Sequence, residues 1–139
     1  MHIRCYEATD IDAVIELWHL CELTRAWNHP AKDIARKVAM GDSLFLVGVE
    51  GNEVAGTAMA GYEGHRGWVN YLAVHPNYQR SGLARQLMDE AERRLTALGC
   101  PKINLQIRAT NLEAIGFYEN IGYSTDDVVS MGKRLIHDA

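Results

Sequence analysis

Leu72-Ala73-Val74-His75-Pro76-Asn77-Tyr78-Gln79-Arg80-Ser81-Gly82-Leu83-Ala84 is the stretch from which the fold is read. To its left, Trp68 to Val74 is rich in aromatic and β-branched residues and predicts a strand. Pro76 has no N–H for a ladder and ends it. To its right, Leu83, Leu87, Ala91, Leu95 and Leu98 fall at spacings of four, four, four and three, one apolar helical face. Gly99 predicts a left-handed stop and Pro101 prevents resumption. Small residues thus stand where a helix begins. The first N–H groups of a helix lack internal partners and carry partial positive charge, so an anion could approach the backbone at Gly82 and Ala84, with Arg80 beside it. A tight turn that needs a glycine and binds nothing would use the same residues, so the loop alone leaves both readings open. The spacing matches neither a Walker loop nor a dinucleotide fingerprint.

Composition narrows the class. The chain has 139 residues, the size of one domain, and 47% hydrophobic content, enough for one core. No apolar run approaches the ~20 residues that span a bilayer. The opening Met1-His2-Ile3-Arg4 leads into a strand pattern, without the look of a signal peptide. Cys5, Cys21 and Cys100 are scattered and odd in number, which predicts a reducing, cytoplasmic setting and no disulfide or metal site. A net charge of −4 argues against nucleic acid and is compatible with a cationic partner such as an amine.

In order, the chain predicts a strand at His2 to Tyr6, then a helix capped by Thr9 with Asp12. Ile11, Val14, Ile15, Trp18 and Cys21 form its buried face. A second helix starts at Pro30 and stops at Gly41. Ser43 to Val49 and Val54 to Tyr62 form a hairpin, turning at Glu50-Gly51-Asn52-Glu53. Gly61 to Gly67 reads as a mobile connection to Trp68. After the central helix, Ile103, Leu105 and Ile107 alternate in a strand over 102–107, parallel to 68–74 across a right-handed crossover. Thr110 then caps a helix ending at Gly122, and Val128 to Lys133 reads as a last strand.

Val-His-Pro, Gln-x-x-Gly-x-Ala and the amphipathic helix resemble the acetyl-CoA-binding core of the GNAT superfamily of N-acetyltransferases. A second block, Asn111-x-x-Ala114-x-x-x-Tyr118-Glu119-x-x-Gly122-Tyr123, resembles the same family. Ser43-Leu44-Phe45-Leu46-Val47, Gly64-His65-Arg66-Gly67 and Gly99-Cys100-Pro101-Lys102-Ile103 are similar to the small bacterial YpeA-type acetyltransferases. The resemblance implies an α+β GNAT fold over 1–139: a mixed, mostly antiparallel twisted sheet with a central parallel strand pair and four helices. It also implies acetyl transfer from acetyl-CoA, a cosubstrate, to a primary amine by direct attack, without a metal. The acceptor would be a small molecule or a protein N-terminus, and a homodimer is one compatible assembly. No nucleic acid or membrane partner is expected. A non-catalytic acyl-CoA-binding sensor is the alternative reading.

The resemblance assigns the pyrophosphate to Gln79, Arg80, Ser81, Gly82, Leu83 and Ala84, and pantetheine to the backbone of Leu72 and Val74. An N–H of the same strand end would polarise the thioester carbonyl. Asn111 would hydrogen-bond the cofactor, and Tyr118 would act as the acid beside the sulfur. Related enzymes carry a glutamate where Gln106 or Trp68 stands here, so a base is missing. Glu63 or His65 acting through water, or a water chain, would have to serve. An acceptor of low pKa relieves the need: at pH 7 an α-amine offers roughly a hundredfold more neutral form than a lysine. Trp18, Arg25, Trp27, Asn28, Tyr62 and Tyr71 are the acceptor-side candidates; for each aromatic, core packing is the more ordinary explanation.

Overall fold

His2–Cys5 (β1) lies antiparallel to Phe45–Glu50 (β2) in the computed structural model, which describes residues 1–138. Glu53–Tyr62 (β3) and Gly67–Val74 (β4) extend the sheet antiparallel, and Ile103–Asn104 (β5) joins β4 in parallel. The strand order is β1-β2-β3-β4-β5. The α-helices are Ile11–Leu20 (α1), Pro30–Met40 (α2), Leu83–Ala97 (α3) and Leu112–Asn120 (α4). This is the expected α+β arrangement of a mixed sheet and four helices. Met1–Leu105 with Asp138 forms one compact unit, and Gln106–His137 another.

In the first unit, strand alternation divides the sheet into two faces. Phe45 and Val47 face a cluster with Val14, Leu17 and Trp18 of α1 and Ile34 of α2. The intervening positions face α3, whose buried side is Leu83, Leu87, Met88, Ala91 and Leu95. Two strand glycines let α3 come close. A Cβ on Gly48 would lie 2.8 Å from Leu83 Cδ1, and one on Gly56 would lie 2.8 Å from the Ala73 carbonyl oxygen and 2.9 Å from Leu83 Cδ2. Glycine inside a strand signals such close backbone approach. Leu98, expected on the buried face, is exposed, because α3 ends at Ala97 and Gly99 turns the chain at φ +85°.

Several expected boundaries move. The first capping box uses Glu7 and Asp10 around a 3-10 turn, Ala8–Asp10, and α1 begins after it. Asp10 accepts from the Glu7 N–H at 2.8 Å and from both Arg4 nitrogens at 2.8 and 3.0 Å. That satisfied carboxylate outcompetes Thr9 for the cap. The 63–66 connection is a tied turn: Glu63 Oε1 accepts from the His65 N–H at 2.6 Å and from the Arg66 N–H. β5 pairs only through Gly67 with Ile103 and Trp68 with Asn104, not over 102–107. Alternation reports side-chain faces and not a backbone partner, so it overstated the ladder.

In the second unit, Asn111 is the N-cap of α4 and its side chain accepts from the Ala114 N–H at 3.1 Å, so the cap is not Thr110. Among the described residues, 128–133 form no strand. Val128, Val129 and Met131 are exposed there, and their β-branched and apolar character finds no ladder partner. The β4–β5 pair therefore stands at the end of the strand order.

Candidate active site

β4 is bulged. Thr57 stands opposite Ala73, yet Met59 stands opposite Asn70, so two residues of β4, Tyr71 and Leu72, oppose Ala58 alone. Tyr71 takes φ +51°, a conformation bulky residues rarely adopt. A bulge bends its strand and re-aims backbone groups. Leu72 and Val74 follow on this bent segment, and β5 pairs with β4 only before it.

After Val74 the chain is pinned at each step. The His75 N–H donates to the Ala55 carbonyl at 2.8 Å, and His75 Nδ1 accepts from the Asn77 N–H at 3.1 Å. His75 therefore belongs to the turn. The Tyr78 hydroxyl donates to Glu53 Oε2 at 2.9 Å, anchoring the Pro76–Tyr78 turn to β3. Arg80 at φ +64° and Gly82 at φ +84° then flank Ser81. Gly82 is the N-cap of α3 and makes no side-chain cap bond. A Cβ there would meet nothing within 4 Å. The first turn of α3 thus has no side-chain cap and open space before it, which suits a phosphate. Gln79, Arg80, Ser81 and Gly82 are exposed, Ala84 is half-buried, and the Leu83 side chain points into the core.

Asn111 and Tyr118 lie in the second unit, at the start and in the last turns of α4. Tyr118 packs edge-on against Phe117 and Tyr123, with ring centroids at 5.1 and 5.7 Å. Burial pushes its pKa up to about 12, so it remains a phenol at neutral pH. Asn111 serves as the helix cap, its Oδ1 accepting from the Ala114 N–H.

The candidate bases fare differently from expectation. The backbone N–H groups of Arg66 and His65 hold the Glu63 carboxylate below its ordinary range, which weakens it as a base. Among the acceptor-side residues, Trp18 is fully buried and belongs to the core. Its Nε1 donates to Thr57 Oγ1 at 2.9 Å, and its ring stacks on Tyr71 at 3.7 Å. Arg25 donates to the Glu22 and Thr24 carbonyls, and Tyr62 to the Gly64 carbonyl at 3.1 Å. Trp27 is exposed and Asn28 half-buried. Residues that sequence reasoning missed are Asp33, which accepts the Tyr71 hydroxyl at 2.7 Å, and Thr57, which donates to the Tyr71 carbonyl at 2.8 Å. Neither sits in a motif. Among the described residues, no group of three or more His, Cys, Asp or Glu could hold a metal, and no helix is long and apolar enough to cross a membrane.

The sheet, its bulged strand and the glycine-led helix start define an acetyltransferase domain. The chain belongs to the acetyltransferase (GNAT) family, whose model matches residues 11–123. It is 46% identical over 138 residues to an acetyltransferase of Pectobacterium atrosepticum, covering 99% of this chain and 98% of the relative. The Ard1 structure from Thermoplasma volcanium superposes with a TM-score of 0.80 at 23% identity, over 88% of this chain and 82% of that one. The ribosomal-protein-S18-alanine N-acetyltransferase of Escherichia coli gives 0.72 at 25% identity, over 87% and 76%.

Proposed function

We propose that residues 1–139 act as one domain that transfers the acetyl group of acetyl-CoA to a primary amine. The observation that carries this reading is the start of α3: an N-terminus without a side-chain cap, entered through positive φ at Arg80 and Gly82, with clear space before Gly82. Gln79 to Ala84 would cradle the pyrophosphate, with the Arg80 charge beside it. The bent backbone at Leu72 and Val74 would receive the pantetheine amides and polarise the thioester carbonyl. The amine nitrogen bonds to the carbonyl carbon, the C–S bond breaks, and the sulfur leaves with the electron pair. The nitrogen's surplus proton passes to water.

Tyr118 would meet the departing thiolate as a hydrogen-bond donor. With its pKa at about 12, full proton transfer to a thiolate of ordinary pKa ~8.5 would run uphill by about 5 kcal/mol. Donation without transfer stabilises the charge at no such cost. Asn111 would contribute a cofactor contact from the start of α4. With Glu63 tied into its turn, and Trp68 and Gln106 unable to accept a proton, the enzyme would capture amine that is already neutral. That selects an α-amine, such as a protein N-terminus or an amino compound of low pKa, in the cytoplasm.

Calorimetry with acetyl-CoA, followed by free-thiol release on a peptide α-amine and an Nα-blocked lysine, tests the reading. Binding is expected in the wild-type chain and lost in Gly82→Glu, which places a carboxylate at the phosphate position. Turnover is expected to favour the α-amine and to rise with pH along its own titration. Unchanged affinity in a folded Gly82→Glu protein refutes the loop assignment. Efficient lysine acetylation with a break at pH 6–7 that vanishes in Glu63→Gln or His65→Ala refutes the base-free mechanism.

A further inference from the structure

Tyr71 is held through its ring, its carbonyl and its hydroxyl, and the hydroxyl also meets the Asn28 side chain. The ring stacks on Trp18, 3.7 Å between centroids and 9° between planes. The carbonyl accepts from Thr57 Oγ1. The hydroxyl reaches a different element, donating to Asp33 Oδ2 on α2 at 2.7 Å. Asp33 is itself oriented. Arg36 NH1 lies 3.5 Å from its other oxygen. The same guanidinium forks onto Asp138, NH1 to Oδ2 and NH2 to Oδ1, both at 2.8 Å. The Asp138 side chain is 1% exposed. A two-pronged guanidinium–carboxylate pair fixes the plane of both groups. A line of bonds thus runs within the first unit from Asp138 through Arg36 and Asp33 to the bulge of β4.

Backbone in the left-handed region strains a bulky residue and persists only where its surroundings over-determine it. We propose that Asp33, Arg36 and Asp138 are positioning residues, which act through the Tyr71 hydroxyl to hold the β4 bulge in the geometry that presents the Leu72–Val74 backbone to the thioester carbonyl. The inference rests on the acetyl-CoA reading above. None of the three touches the cofactor in this scheme. They set the aim of a backbone donor, and a donor's contribution falls steeply when it is misplaced.

The test reads the carbonyl directly and needs no acceptor. Isotope-edited infrared spectroscopy of carbonyl-13C acetyl-CoA bound to the full chain is expected to show a band below that of the free thioester. Tyr71→Phe keeps the ring on Trp18, and Asp33→Asn keeps its shape. Each is expected to return most of that displacement, and the double variant no more than either alone. Asp138→Asn is expected to shift the band partway in the same direction. Acetyl-CoA binding by calorimetry is expected to persist throughout, weakened several-fold at most, since the pyrophosphate loop is untouched while the pantetheine amides lose part of their alignment at Leu72 and Val74. If Tyr71→Phe fails to fold, Asp33→Asn and Asp138→Asn carry the same comparison. A wild-type band at the free frequency, or variants with the wild-type band, overturns the positioning role alone. Abolished acetyl-CoA binding in the variants marks the residues as merely structural and also overturns it. A wild-type chain that binds no acetyl-CoA overturns the functional reading and this role together.

Discussion

Gly56→Ala is the substitution that probes most of the fold at once. Gly56 pairs with Val74 of β4, and its missing side chain faces α3. An added methyl would lie 2.8 Å from the Ala73 carbonyl oxygen, 2.9 Å from Leu83 Cδ2 and 3.1 Å from Leu87 Cδ1. Leu83 and Leu87 are 1% and 0% exposed, so neither can swing outward. The carbonyl is backbone and cannot rotate away without moving β4. Overpacking typically costs about 1–3 kcal/mol, and this site belongs in the upper part of that range. At this size each kcal/mol lowers the melting temperature by about 2–4 °C, so a fall of roughly 4–12 °C is expected. Gly48→Ala is the control. The three atoms nearest its methyl all belong to the Leu83 side chain, Cδ1 at 2.8 Å, and no backbone atom is among them, so about 1 kcal/mol suffices. Because Ala73 lies between Leu72 and Val74, and Leu83 opens α3, Gly56→Ala is also expected to weaken acetyl-CoA binding several-fold. Differential scanning calorimetry and ligand titration on both variants decide it. If Gly56→Ala melts within a degree of wild type, or Gly48→Ala is as costly, the rigid carbonyl is not the obstacle.

Tyr118→Phe is expected to lower turnover on an α-amine acceptor roughly 10²–10³-fold with acetyl-CoA affinity nearly unchanged, as for loss of one donor to a developing charge; a wild-type rate in steady-state kinetics would leave Tyr118 as packing. Glu90 bonds Arg93 and Arg94, which hold its pKa down to about 2 from an ordinary 4.5. Its folded pKa is the lower one, so its stabilisation is complete above 4.5 and is lost as pH falls toward about 2. Glu90→Gln is therefore expected to lower the urea midpoint near neutral pH and to match wild type at the acid end; a gap independent of pH would show that the carboxylate's charge is not what stabilises.

Much of the fold was legible because it rests on local chemistry. The helical spacing from Leu83 to Leu95, Pro30 at a helix start, Gly41 and Gly99 at left-handed stops and the Gly51 turn all act within a few residues. What escaped depends on partners far apart in sequence. The bulge at Tyr71 and Leu72 is a difference in register between two strands, invisible in either one. Asp33 and Asp138 acquire their roles only when α2 brings Arg36 to a residue 102 positions away. The choice of Asn111 over Thr110 as a cap turns on backbone angles one residue apart. The 128–133 segment has the composition of a strand, but composition supplies no partner. The open, uncapped start of α3 was readable because one glycine and its neighbours create it; Trp18 was not, since it looks alike as wall or as core until its burial is known.

Leu83 joins the start of α3 to the middle of the sheet. Its amide belongs to the open first turn of α3, while its side chain rests on Gly48 and Gly56 in the middle of the sheet. An anion gripping that turn would therefore be felt by the whole cooperative unit rather than by a surface loop. By mass action, a ligand at a hundred times its dissociation constant adds about 2.7 kcal/mol to the free energy of unfolding. With acetyl-CoA bound as proposed, the melting curve of the intact chain would become a sensor for acyl-CoA compounds, able to rank acyl groups by affinity before any acceptor amine is known.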